Sequence, residues 1–587
     1  MSATAIWSPQ MRLITQGVWM ARSSGTKWWP RGLTRRRAGC ANIPGRGEDM
    51  TEDLKRYVVV QHPLRERLRQ PSLERSPTAA LAQMYFRGSG GELTRRALLD
   101  VPVAAVSQVL TSAGLAAAGV GTAAPLVKAR AQSHLRRRLH RSASQDRKSF
   151  DDYDVEILAS RPNDLTLIRA SERTAQALRE AGVTLVDDAP VYPARARPPS
   201  VRRRKRPGAR RTRTVEVVSA AGQRIRGAVV TGLMADGEID FRRTGQDGVA
   251  HLDVTDTYLV DVWVDPVPGH WSWSRLGMAS AEDHIVASLT AIDDDHVDGL
   301  RHRYPDTVID AGTGVRVGVI DTGVGPHDEI SIHGGRDYSL KPNASNYGAE
   351  HSDHGTHVAG VIASRAGGPR RGLAPGVELR SYRIYTDNEE ASVYTLCLAI
   401  PDAIDDGCDI INLSITMDSM VGLVARRVQK ALDAGVIVVA AGGNNERQPL
   451  AFPASIDGVL AAGALGRIGT YPADCASADH ECVPRGEDPA DYVADFSSSV
   501  RHQDFLAPGV GIVSTVGKSE WGVMDGTSQA APVVSALAAR VLAESGLLEY
   551  GRTVERAQAV IAQVRQRAKS LGFPVDLEGT GLIEHQG

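Results

Sequence analysis

"VRVGVIDTGVG", residues 315–325, decides the fold. The run up to Ile320 is apolar or small apart from Arg316, and it is too short for a helix. It therefore predicts a strand buried on both faces, as in a parallel sheet. Asp321 closes the strand, and Gly323 and Gly325 mark a turn behind it. Three further runs share the pattern: "ELRSYRIY" (378–385), "CDIINLSI" (408–415) and "GVIVVAAG" (435–442). "VYTLCLAIPDAIDDG" (393–407), "VGLVARRVQKALDAG" (421–435) and "SQAAPVVSALAARVLAESG" (528–546) read as covering helices. The alternation predicts an α/β domain over 300–545, with helices on a doubly wound parallel sheet. The tail, 546–587, holds one more amphipathic helix, "TVERAQAVIAQVRQRAKSLG" (553–572).

Polar residues stand at the ends of these elements. Asp321 lies at the carboxyl end of a strand, where open α/β sheets collect functional groups. His354 lies in "HSDHGTHVAGVIAS" (351–364), at a Gly-rich turn into a helix. Ser528 lies in "DGTSQAAP" (525–532), at the start of another. Singly, each reads as a loop, cap or packing residue. Together and in this order they read differently. A serine hydroxyl is a poor nucleophile without an adjacent base, a histidine can supply one, and an aspartate can orient it. Ser528 also gains from the free N–H groups of a helix N-terminus, where Pro532 is tolerated.

The residues resemble the subtilisin-like serine peptidases, the subtilase family. The resemblance covers roughly 310–545 and rests on "VIDTGV", "HGTHVAG", "GLAPGVEL", "INLS", "AAGGN", "FPAS", "DFLAPGV" and "GTSQAAP", in that order along the chain. It implies a subtilisin-like fold and a serine endopeptidase that cuts protein or peptide substrates through an acyl-enzyme. The family's chain order of Asp, His and Ser implies Asp321, His354 and Ser528 as the triad. It implies the first histidine of "HGTH" as the base, with His357 left to packing. It implies Asn444 rather than Asn445 as the oxyanion side chain, and a substrate groove at Ser414, Thr416 and Gly442. Three departures stand out. "INLSITMDS" puts Thr416 and Met417 where the family has glycine, which predicts a narrower cleft or small substrate residues. Gln529 and Ala531 flank the serine where Met and Ser are common, and Gly442 is smaller than usual. None removes a catalytic group. Calcium is common in the family as a structural ion, but no compact carboxylate loop assigns ligands here, and no cofactor is required.

Upstream of 300 the chain changes character. "YDVEILAS" (153–160) and "VTLVDDAPVY" (183–192) read as strands around a helix, "SERTAQALREAGV" (171–183), capped by Ser171. This unit, 151–193, has the size of a prodomain that assists folding or inhibits. Residues 194–214, "ARARPPSVRRRKRPGARRTRT", hold ten Lys or Arg and no acid. Three readings stand for this linker: a solvated spacer, a processing site for a trypsin-like or self-acting protease, and a nucleic-acid or anionic-surface patch. Self-processing predicts a cut there or at 275–305. Residues 215–275 alternate as short strands and predict a small antiparallel β-sandwich. Residues 1–150 are Arg-rich and irregular, with "HLRRRLHR" at 134–141, and read as largely disordered.

Composition sets outer bounds. The chain has 587 residues, 42% hydrophobic and 23% charged, with a formal net charge of -1. This is several domains of globular composition, and no specific nucleic-acid partner follows from the charge. Five cysteines exclude a disulfide scaffold, while Cys475 and Cys482 read equally as a pair or as free thiols. Residues 101–127 carry no charge but are built from Ala, Gly, Ser and Thr, which speaks against a membrane span. No secretory leader is read in residues 1–49, so the cytoplasm is favoured over export, although family members are commonly exported. The oligomeric state and the physiological substrate are not legible. A non-catalytic binding protein on the same scaffold is the alternative from another class.

Overall fold

The computed structural model of the protein describes residues 54–61, 155–194 and 210–584, apart from short stretches inside the last range. Most of the region read as irregular over 1–150, the uncharged stretch 101–127 and most of the basic linker lie outside the described residues. Residues 54–60 are a departure, since they form a strand.

That strand, β1 (Leu54–Val60), pairs antiparallel with β3 (Leu165–Ser171) and β4 (Leu185–Asp187). With β2 (Val155–Ser160) it completes a sheet of order β2-β3-β1-β4. Helix α1 (Glu172–Glu180) starts where Ser171 accepts a hydrogen bond from the Thr174 N–H, with Glu172 favourably placed in the first turn. The period of two splits β1 between two environments. Tyr57 and Val59 pack with Ile168, Ala175 and Leu178 under the helix. Val58, with Leu165 and Leu167, faces the opposite way into a core shared with the large α/β domain. From β4 the chain continues as a short strand, β5 (Pro190–Pro193), which leaves this sheet altogether.

The sandwich is larger than the sequence suggests. It begins at β6 (Arg210–Ser219), inside the stretch read as linker, and runs through β7 (Val229–Met234), β8 (Ile239–Arg243), β9 (Val249–Thr255), β10 (Leu259–Val264), β11 (Trp273–Arg275) and β12 (His284–Leu289). Its two sheets have the orders β11-β10-β7-β8 and β12-β6-β9. The expected antiparallel pairing has one exception, β12 on β6, which is parallel. Fourteen buried apolar residues, among them Val217, Val230, Leu252, Val262 and Ile285, close a core of its own.

The α/β domain opens with a short helix, α2 (Gly299–Arg303), capped by Asp298. Its sheet contains β13 (Arg316–Asp321), β14 (Ile332–Asp337), β15 (Glu378–Arg383), β17 (Ile410–Leu413), β19 (Ile437–Ala441), β20 (Leu460–Arg467) and β22 (Phe505–Pro508), with β16 (Ala391–Ser392) and β18 (Ile415–Thr416) off to one side. The order β14-β15-β13-β17-β19-β20-β22 is parallel throughout. An antiparallel strand, β21 (Asp491–Val493), pairs with β20. The hairpin β23 (Ile512–Val516) and β24 (Glu520–Met524) lies outside this sheet, and the antiparallel strand β25 (Ala568–Lys569) joins it through β26 (Leu582–Ile583).

Side chains alternate between two cores. Val317, Val319, Val439 and Ala441 face α3 (His354–Ala363) and α6 (Thr527–Glu544), whereas Ile320, Ile411, Leu413 and Val438 face α4 (Val393–Asp405) and α5 (Gly422–Asp433). Each such Val, Ile or Leu contributes about 1.5–3 kcal/mol by leaving water. The expected tail helix is α7 (Val554–Gln566), with Val560 and Val564 in the first core. After β13 the strand order runs to both sides, so the sheet switches direction at β13. Asp321 ends that strand.

Candidate active site

Asp321 and His354 meet at the carboxyl edge of the sheet. Asp321 is fully buried and cannot hold its charge there without partners. Its Oδ1 accepts from the Thr322 N–H at 2.6 Å and lies 2.7 Å from His354 Nδ1. His354 is the first residue of α3 and is also fully buried. The glycine beside it is a steric requirement. A Cβ on Gly355 would come within 2.3 Å of the Gly323 carbonyl oxygen, so only glycine lets the helix start this close to the turn behind β13. The second histidine is a packing residue. His357 Nε2 lies 2.9 Å from the Ile512 carbonyl oxygen, and Ser514 Oγ donates to the His357 carbonyl.

Ser528 is the second residue of α6, entered through Gly526 at φ 148. Its hydroxyl donates to the Ser414 carbonyl oxygen at 3.0 Å, and the Ser414 hydroxyl donates back to the Ser528 carbonyl at 2.8 Å. Behind them Asn412 Nδ2 donates to Ser414 Oγ, and Ser535 Oγ to Asn412 Oδ1, both at 2.9 Å. These buried polar groups satisfy one another and tie β17 to α6.

Asn444 is oriented by its acceptor. Its Oδ1 takes hydrogen bonds from Thr527 N at 3.0 Å and Thr527 Oγ1 at 2.8 Å, which leaves the amide N–H₂ to face the groove. There Nδ2 donates at 2.6 Å to the carbonyl oxygen of Ala194, and the Ser528 N–H donates to the same oxygen at 3.2 Å. Two donors thus converge on one carbonyl beside a serine hydroxyl.

That carbonyl belongs to the residue that follows β5. The strand runs antiparallel between β16 and β18, with Val191 opposite Ala391, Tyr192 opposite Thr416 and Pro193 opposite Ile415. The Ala194 N–H donates to the Ser414 carbonyl at 3.1 Å. Ser414 therefore meets the segment through its backbone and Thr416 by strand pairing. Gly442 answers to another neighbour: a Cβ there would lie 2.9 Å from the Ala462 carbonyl oxygen, so its bareness lets β19 sit against β20. Met417 is buried, its N–H donating to the Phe452 carbonyl, and it shares an apolar core with Val191. Gln529 is buried with its Nε2 facing the Met524 sulfur, and Ala531 is in the core, so neither departure enters the groove.

Sequence reasoning passed over Ala194, Asn412 and Ser535. "INLS" carried a signal for Asn412, since a buried strand holds an amide only for a partner. Nothing local marks Ala194 or Ser535. Cys475 and Cys482 are free thiols, and Cys482 Sγ donates to the Val493 carbonyl. Among the described residues no group of three or more His, Cys, Asp or Glu stands where it could hold a metal ion, and no helix is long and apolar enough to cross a membrane.

The sequence profile described as the subtilase family matches residues 312–572. The chain is similar to the thermostable alkaline protease of Halalkalibacterium halodurans, 31% identical over 47% of this chain and 67% of that protein. It is 29% identical to subtilisin DY of Bacillus licheniformis over 42% of this chain and 82% of that one. With subtilisin Savinase of Lederbergia lenta it shares 31% identity over 39% of this chain and 77% of that protein.

Proposed function

We infer, for a chain that belongs to the subtilase family and is a serine-type endopeptidase, that Asp321, His354, Ser528 and Asn444 carry the reaction. Ser528 Oγ attacks the substrate carbonyl carbon and gives its proton to His354 Nε2. Asp321 fixes the imidazole through Nδ1 and stabilises it when charged. Charge that develops on the carbonyl oxygen meets Asn444 Nδ2 and the Ser528 N–H, already aimed and shielded from water. Collapse expels the amine, which takes the proton from His354. Water then releases the acyl group by the same route.

The observation that carries this reading is the Ala194 carbonyl, held by both donors. It also supports self-processing at the Ala194–Arg195 bond, with residues 54–194 as a prodomain whose last strand fills the groove. Arg195 supplies the leaving amine and becomes the new N-terminus, so the cut falls at the start of the basic linker rather than near 275–305. The sandwich stays attached to the peptidase.

The test is Ser528→Ala in the full chain. Proteolysis of unfolded casein falls on the order of 10⁶-fold, a figure known from subtilisin itself rather than derived from this geometry. N-terminal sequencing finds Arg195 in the wild type and no such end in the variant. Undiminished proteolysis, or the same new end in both proteins, would refute the assignment.

A further inference from the structure

Asn444 is held from two sides. From α6, Thr527 fixes its Oδ1, and the Gly443 N–H donates to Thr527 Oγ1 at 3.1 Å. The other side is the loop that follows, 445–448. Asn445, Glu446 and Gln448 are exposed, while Arg447 turns its side chain back onto the domain. Its Nη1 donates to the carbonyl oxygens of Ala494 at 2.8 Å and Ser497 at 3.3 Å. Its Nη2 donates to that of Val493 at 2.8 Å and to Cys482 Sγ at 3.1 Å. These partners are carbonyls and a thiol rather than an acid, so the guanidinium works as a fork of donors that gathers chain.

The gathered chain is what the loop rests on. The Ser498 N–H donates to the Gly443 carbonyl, the Glu446 N–H to that of Phe496, and the Arg447 N–H to that of Ser497. Ser499 Oγ donates to the Arg447 carbonyl at 2.9 Å. Arg447 thus belongs to the loop and also grips the turn, 493–497, that receives it. The loop follows a strained course. Glu446 and Arg447 have φ of 50 and 66, the left-handed region that side chains disfavour. Among the described residues only three that are not glycine have positive φ, and two of them follow one another here. Such strain persists only where the surroundings over-determine it, and it clusters at functional sites. Without the fork the loop is free to relax toward ordinary φ, and Asn444 lies at its root.

We propose that Arg447 is a positioning residue for peptide hydrolysis. It holds the loop on its strained course, so that Asn444 Nδ2 and the Ser528 N–H stay aimed at one oxygen. It acts through Asn444 and not on the substrate. The proposal rests on the reading of Asn444 as the oxyanion side chain. An oxyanion donor favours the transition state over the bound substrate, so the effect of Arg447 falls on kcat rather than on KM. A residue that only stabilised the fold would lower the melting temperature, and its effect would not depend on Asn444.

The experiment uses the full-length protein as expressed and a quenched peptide carrying Val-Tyr-Pro-Ala before the cut. N-terminal sequencing ensures that variants are compared in the same processed state. Asn444→Ala is expected to lower kcat about 10²–10³-fold, the size known for this donor from subtilisin itself. Arg447→Ala is expected to lower it about 10–100-fold, with KM within about threefold of wild type. The double variant is expected to be no more than about threefold slower than Asn444→Ala, since one residue acts through the other. Arg447→Gly accepts positive φ without strain and is expected to keep at least about threefold more activity than Arg447→Ala. It takes the place of alanine in the cycle if alanine prevents folding. An unchanged kcat in Arg447→Ala, losses that multiply in the double variant, or glycine below alanine each overturn the role of Arg447. If Asn444→Ala itself keeps the wild-type kcat, the oxyanion assignment fails and the proposal falls with it.

Discussion

Two small units precede the peptidase domain, and they solve the burial problem in opposite ways. The sandwich closes fourteen apolar residues between its own sheets and touches the peptidase through a few groups outside that core. Chief among them is Trp271, which is 1% exposed among Tyr471, Tyr492 and Val513. Gly269 N–H adds a hydrogen bond to the Trp521 carbonyl. The β1–β4 unit buries only six residues under its own helix, and its other face is completed by α4 and α5. One unit is a finished domain with an anchor. The other is half a domain whose second half is the enzyme. A sheet with one naked apolar face does not stand alone in water, so the difference is thermodynamic before it is functional.

The comparison breaks most visibly when the units are separated. Residues 210–289 expressed alone are expected to melt cooperatively, whereas residues 50–194 alone are expected to show no cooperative transition by circular dichroism. A cooperative melt of the second fragment would dissolve the distinction. Next come two truncations that separate the roles. Trp271→Ala should cost about 3–5 kcal/mol and lower the melting temperature of the processed enzyme. Leu167→Ala removes comparable packing, about 2–5 kcal/mol, but it should leave the processed enzyme's melting temperature unmoved and weaken the hold of 54–194 on it. The smallest effect concerns a cap. Asp188, whose side chain is fully buried, accepts from the Tyr394 N–H at 2.9 Å at the start of α4 and pairs with Arg56. Asp188→Asn should weaken the hold of residues 54–194 on the peptidase domain by about 1–2 kcal/mol, read as a five- to thirtyfold change in dissociation constant.

The contrast also separates what was legible in the sequence from what was not. The element boundaries that hold Asp321, His354, Ser528 and Asn444 were legible because each sits in a stretch whose backbone tolerates few residues. Gly355 against Gly323, and Gly526 before α6, leave local marks. The parallel sheet was legible because its strands are buried on both faces and read as apolar runs. Strand β1 was not, because its neighbours β3 and β4 lie beyond residues 61–154, and no local pattern reports a pairing at that range. Ala194 was hidden for a related reason. Its surroundings are supplied by Ser414, Asn444 and Ser528, from three distant parts of the chain, and "VYPA" contains nothing that announces them. The sandwich boundaries slipped because β6 begins inside a run of arginines that composition assigns to a linker.

Strand β5 contains Pro190 and Pro193, and a proline has no N–H to give to a neighbouring strand. Yet β5 occupies the middle of a three-stranded sheet, where an ordinary residue would donate on one side or the other. Each missing donor forgoes about 0.5–1.5 kcal/mol of net attachment. Two together shorten the lifetime of the docked strand by roughly five- to 150-fold, taking 1.4 kcal/mol as tenfold. The segment fills the groove with its side chains while leaving its backbone loosely stitched. Occupancy of the site is therefore a matter of residence time as much as of affinity, and the two prolines set the clock.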